Sequence, residues 1–137
     1  MDNSESHSYM QGHQLHKDAA LKRFPSGAVR SPDADNERYD LISPIALRRL
    51  ARTYAEGAKK YGDYNWLKGI PGSDLVNRII RHLMLFLLGD QSEDHLAHAA
   101  WNIFALIHFQ ETKPELLDDL LFRKINLLDQ EANEHGQ

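Results

Sequence analysis

The sequence predicts an all-α domain, and three observations carry that expectation. Apolar residues recur at helical spacing in four separate segments. Short linkers rich in Gly, Pro, Ser and Asp join those segments. No stretch alternates convincingly in the manner of a strand.

With 137 residues the chain suits one domain with a single moderate core. Residues 1–23 are polar and are expected to form a disordered tail, with His7, His13 and His16 solvated. Residues 24–137 are expected to form the folded domain. Its first part, from Phe24 to Arg38, contains Pro25, Gly27 and Pro32 and reads as an arm or loop.

The first helix starts sharply. Ser43 can cap it, and Pro44 fits a first turn where no N–H partner is needed. Ile45, Leu47, Leu50, Ala51 and Tyr54 form its apolar face, and Gly62 marks its end. A loop with Asp63, Asn65, Trp66, Gly69, Pro71 and Gly72 follows. The second helix is expected from Ser73 or Asp74 to Leu88, with Gly89 as the stop. The third is capped by Ser92 and runs to about Gln110. It is apolar almost all round, so it is either the central helix or part of a subunit interface, which leads us to expect a dimer or larger homo-oligomer. Thr112-Lys113-Pro114-Glu115 fits a capping box for a fourth helix with Leu116, Leu117, Leu120, Leu121, Ile125 and Leu128 on its face. The short link between the second and third helices makes them antiparallel neighbours in a small four-helix bundle.

Composition excludes several functions. The absence of cysteine rules out disulfides and thiolate metal sites. A formal net charge of −4 with interspersed signs argues against direct nucleic-acid binding. No apolar run reaches the roughly 18 residues of a membrane span, and the polar N-terminus offers no signal segment. The expectation is a soluble cytoplasmic protein. No phosphate loop, dinucleotide fingerprint or nucleophile elbow is present.

The polar residues inside the most apolar stretch point to chemistry. His95, His98 and Asn102 lie at i, i+3 and i+7 on one face of the third helix. Arg78, Arg81 and His82 form an i, i+3, i+4 patch on the second. Burying such groups unpaired costs roughly several kcal/mol each, so both patches, if the antiparallel helices turn them to one cleft, would hold something. Histidines with nearby carboxylates suit a metal, and paired arginines suit phosphate oxygens. A single His on an apolar helix is usually bonded to a backbone carbonyl, and Arg78 alone reads as solvated or salt-bridged. The clustering is what favours a site. Carboxylate candidates for a divalent ion are Asp40, Glu56, Asp90, Glu93 and Asp94, with Asp90 and Glu93 flanking the turn between the two helices. A second candidate segment is Lys59-Lys60-Tyr61-Gly62-Asp63-Tyr64-Asn65-Trp66. Its cations suit a helix C-terminus on structural grounds alone. Functionally it is a rim for stacking on a base and contacting phosphate, with Trp66 as either a stacking ring or a core anchor.

These segments resemble a known family. Gly27-Ala28-Val29-Arg30, Arg38-Tyr39-Asp40-Leu41-Ile42, Gly57-Ala58-Lys59-Lys60-Tyr61-Gly62 with Asn65-Trp66, Arg81-His82, and His95-Leu96-Ala97-His98-Ala99-Ala100-Trp101-Asn102 resemble the phage and bacterial dATP/dGTP diphosphohydrolase N-terminal domain. That family is similar to the MazG-like all-α nucleotide pyrophosphohydrolases. The resemblance covers roughly Gly27 to Gln110. It implies a MazG-type helical, oligomeric enzyme using Mg²⁺ or Mn²⁺ to hydrolyse a purine deoxynucleoside triphosphate, dGTP or dATP, to the monophosphate. In phages such enzymes reshape the nucleotide pool of the host cytosol. Carried over by motif, His95, His98, Arg81 and Lys59 would be catalytic, and Arg30, Lys60, Tyr61, Asn65, Trp66, His82 and Asn102 would bind substrate. MazG-like enzymes hold their metals with ExxE and ExxD motifs. This chain has Arg78-Ile79-Ile80-Arg81 and His95-Leu96-Ala97-His98 at those positions. Either Asp90, Glu93 and Asp94 supply the metal ligands, or histidine joins them. The rival readings are a nucleotide sensor without turnover and a helical interaction protein with a buried polar register device.

Overall fold

The computed structural model describes residues 20–32 and 37–136. Most of the predicted tail lies outside the described residues. The chain divides into two units, 1–42 and 43–137.

The first unit contains a small feature that the sequence reading did not anticipate. Lys22–Arg23 (β1) and Val29–Arg30 (β2) pair antiparallel, with Lys22 opposite Arg30 and Arg23 opposite Val29. Two-residue strands are too short for any alternation to register. The turn between them is legible in hindsight. Pro25 sits at its second position, Gly27 donates to the Phe24 carbonyl at 2.9 Å, and Gly27 takes a φ of 87°. The predicted tail boundary at Arg23 therefore falls inside a hairpin. A 3₁₀ turn, Tyr39–Leu41, follows.

The second unit is helical. Helix α1 spans Pro44–Tyr61, and the Ser43 hydroxyl accepts from the Ala46 amide at 3.2 Å as its cap. A 3₁₀ turn, Asn65–Lys68, leads to α2 at Gly72–Leu87. Helix α3 is His95–Thr112, a second 3₁₀ turn is Pro114–Leu117, and α4 is Leu121–His135. Helix α3 packs against α2, α1 and the Pro114–Leu117 turn, so it is the central helix. The core is Leu75, Ala105, Phe109 and Leu117, flanked by Trp66, Ile70, Trp101, Leu106, Leu116 and Leu120.

Two helix starts differ from expectation. The α3 cap is Asp94, not Ser92, and its carboxylate accepts from the Ala97 amide at 3.2 Å. Ser92 instead donates to Asp90 at 2.6 Å. The fourth helix begins at Leu121, and the capping-box segment forms only the 3₁₀ turn. Tertiary contacts explain this. Asp119 accepts from the Ser73 amide at 3.0 Å and from the Ser73 hydroxyl, which satisfies one of the open N–H groups in the first turn of α2. Leu117 and Leu120 turn onto the core rather than onto a helix face. Gly72 allows that approach, because a Cβ there would stand 3.0 Å from the Leu116 carbonyl oxygen. Helix α4 buries none of its residues.

Phe109 is fully buried in this small core. Phe109→Ala is expected to cost about 3–5 kcal/mol, from lost transfer energy plus the cavity left behind. Urea unfolding followed by circular dichroism measures it. A loss below about 1 kcal/mol would mean that the core does not depend on this ring.

Candidate functional site

The turn between α2 and α3 builds the chemical centre. The Asp90 amide donates to the Leu85 carbonyl at 3.1 Å, and the Gly89 amide donates to Phe86 at 3.0 Å. This pair of bonds is a Schellman motif, and it requires the left-handed φ of 77° that Gly89 adopts. The motif ends α2 abruptly and delivers the Asp90 carboxylate back over α3. There Asp90 Oδ2 lies 2.5 Å from His95 Nε2. Hydrogen bonds from Ser92 and from His95 hold the Asp90 carboxyl below its usual range. An ionised Asp90 accepts from His95 Nε2–H. The His95 ring then carries its lone pair on Nδ1.

That Nδ1 faces His82 Nδ1 at 2.9 Å, where the last turns of α2 meet the first turn of α3. Both rings are buried. Burial pushes the His82 imidazole below its ordinary pKa, and the nearby His98 acts in the same direction, with Glu93 opposing. Glu93 Oε2 stands 3.8 Å from His82 Nδ1, 3.9 Å from His95 Nδ1 and 3.4 Å from His98 Nδ1. On its other side, His98 Nε2 is 3.6 Å from Glu56 Oε2 of α1.

One ligand atom from each of His82, Glu93 and His95 lies within 4.8 Å of the others. Nitrogen and oxygen donors converging at this separation suit a first-row divalent ion with bonds of about 2.0–2.2 Å. The Asp90–His95 bond supplies the outer partner that orients a metal-ligating imidazole. The donor set therefore fits a divalent metal, and two imidazoles suit Mn²⁺ or a later first-row ion better than Mg²⁺.

A cavity of about 600 Å³ opens beside this centre. Helix α1 lines it with Glu56, Lys60 and Tyr61, and the following loop with Tyr64, Asn65 and Trp66. Helix α2 contributes Asp74, Arg78 and His82, and α3 contributes His98, Trp101 and Asn102. The Trp66 ring also packs on Tyr54, His108 and Phe109, so it is both cavity wall and core anchor. Arg78 pairs with Asp74 at 2.9 Å.

The structure thus brings His82, His98, Lys60, Tyr61, Asn65, Trp66 and Asn102 to one cavity, with His95 against His82, Glu93 against His98 and Asp90 against His95. Four other candidates lie elsewhere. Lys59 and Arg81 are exposed and outside the cavity lining. Asp94 is occupied by the α3 cap and by Arg49 of α1, which grips it with two bonds at 2.8 and 2.5 Å. Arg30 is on β2 of the first unit. Asp74, Tyr54 and Trp101 line the cavity without having been singled out for it. Asp74 had a signal, since Asp74, Arg78 and His82 fall at i, i+4 and i+8 on one helix face.

A family profile described as dATP/dGTP diphosphohydrolase, N-terminal, matches residues 26–119. No curated protein and no solved structure matches the chain.

The lowered His82 pKa has a definite sign. A buried neutral imidazole resists the proton that the unfolded chain accepts. The linked stability is fully present above the ordinary value of 6.5 and is lost as pH falls through the lowered folded value. In chelator, the wild-type Tm should fall below about pH 6.5 more steeply than that of His82→Gln. Parallel Tm profiles for the two proteins would refute a linked His82 titration.

Proposed function

The chain belongs to the dATP/dGTP diphosphohydrolase N-terminal family, and on that premise we propose that it hydrolyses a purine deoxynucleoside triphosphate, dGTP or dATP, to the monophosphate with a divalent metal. The observation that carries this reading is the His82, His95 and Glu93 cluster set against a cavity of nucleotide size. His82, His95 and Glu93 would hold the ion, with Asp90 orienting His95. When bound, the ion would neutralise phosphate charge and acidify the attacking water. An exclusively oxygen-ligated Mg²⁺ fits less well than Mn²⁺.

The remaining roles fall to the chain's own side chains. His98 stands between Glu93 and Glu56, with a ring nitrogen facing each carboxylate. It is placed to take the proton from the water that attacks phosphorus. Lys60, and Arg78 across the cavity, bring positive charge to the phosphate oxygens. Tyr61, Tyr64 and Trp66 offer ring faces for the purine. Turnover would trim the purine deoxynucleotide pool of the cytosol, in a phage-infected host where the gene is viral.

The homo-oligomer expectation is part of this reading. Ile80, Leu83 and Leu87 on α2, and Ile103 and Ile107 on α3, form exposed apolar strips. Light scattering should then give the mass of a dimer or larger species, and a monomer at micromolar concentration would remove this part of the reading.

The central experiment is phosphate release from each natural ribo- and deoxynucleoside triphosphate with Mg²⁺ and with Mn²⁺, resolved by product mass. A purine deoxynucleoside monophosphate is the expected product. Binding without release would favour a nucleotide sensor, and neither binding nor release would leave an interaction protein. His98→Ala should lower turnover by about 100-fold or more with the helical spectrum unchanged. Full activity in the folded variant would rule out His98 as the base.

A further inference from the structure

Asn102 is one of the few buried polar side chains in the described residues, at 5% exposure. Its amide is half satisfied. Asn102 Nδ2 donates to the His98 carbonyl one helical turn back, at 2.8 Å. That bond fixes which way the amide points, because a flipped amide would set oxygen against oxygen. Asn102 Oδ1 accepts no hydrogen bond from the described residues, and the side chain lines the cavity. A buried acceptor left without a donor is destabilising, so such atoms in native proteins usually serve water or a ligand.

We propose that Asn102 Oδ1 is a specificity determinant that takes a hydrogen bond from the nucleoside part of the substrate. This inference rests on the nucleotide reading of the cavity. An oriented amide oxygen can only accept, so it repels phosphate oxygens and the acceptor nitrogens of a purine. It fits a base N–H or the sugar 3′-hydroxyl. Position along α3 agrees. Asn102 lies seven residues beyond His95, about 10 Å along the helix axis at 1.5 Å per residue. With phosphates drawn to the His82 and His95 end, the nucleoside reaches the Asn102 end.

Calorimetry with dAMP and dGMP, which are products and are not consumed, tests the proposal. Each nucleotide is compared with analogues lacking one donor: the base amine, the guanine N1–H, or the 3′-hydroxyl. Wild type should lose roughly 10-fold in affinity for one of these deletions. The same deletion should cost little in Asn102→Leu, which has already lost the acceptor. The sensitive analogue identifies the donor as base or sugar. Equal losses in wild type and variant would overturn the proposal and leave Asn102 structural. If Asn102→Leu does not fold, the wild-type series decides alone, and indifference to every deletion overturns the proposal. Failure of both parent nucleotides to bind wild type would instead overturn the nucleotide reading itself, and this inference with it.

Discussion

The close approach of two buried imidazoles, His82 on α2 and His95 on α3, is the constraint around which the helical unit is arranged. Two such rings cannot be buried in register unless their protons are assigned. Asp90 assigns them by accepting from one His95 nitrogen and leaving the other as a lone pair. Asp90 reaches that position only because the Schellman turn at Gly89 stops α2 and reverses the chain within a few residues. A backbone motif, a carboxylate and a ring tautomer are thus linked in one chain of cause. The same chain explains why the centre is a plausible metal site and not merely a satisfied core pair. One ligand atom each of His82, His95 and Glu93 lies within 4.8 Å of the others.

Helix α3 carries this centre and also organises the rest. Its small residues Ala97, Ala99 and Ala105 let α1 and α2 approach closely. Its larger residues, Trp101 and Phe109, define one end of the cavity and the core beneath it. Arg49 of α1 grips Asp94 at the start of α3, so the wall bearing Glu56 and Lys60 is tied to the helix bearing His98. This pair is substantially exposed, so its worth lies in alignment more than in stability. Elsewhere, apolar residues of α2, α3 and α4 stay exposed, Phe122 at 85%. A 15-residue helix that buries nothing is marginal in water, which is the physical ground for expecting further chains to cover it.

Helix existence and order were legible because periodicity, caps and stops are local. Ser43-Pro44 and Gly62 bracket α1, Gly89 ends α2, the 3.6-residue pattern of apolar side chains marks α1 and α2, and the long, almost wholly apolar run marks α3. The His95, His98 and Asn102 face of α3 was legible for the same reason, since three residues on one helix need no tertiary knowledge. The β1–β2 hairpin escaped because its strands are two residues long. The start of the fourth helix escaped because Asp119 is recruited by Ser73, 46 residues away in sequence.

Local sequence therefore determined the all-α class, the helix faces and the donor types available for chemistry. Tertiary structure alone decided which donors meet. It set Glu93 among three imidazoles, set Asp90 behind His95, and diverted Asp94 to Arg49, although the three acids lie within five residues of one another. Their roles differ because a tight turn points consecutive side chains in different directions. Which of them finds an imidazole and which an arginine depends on the helices packed around that turn.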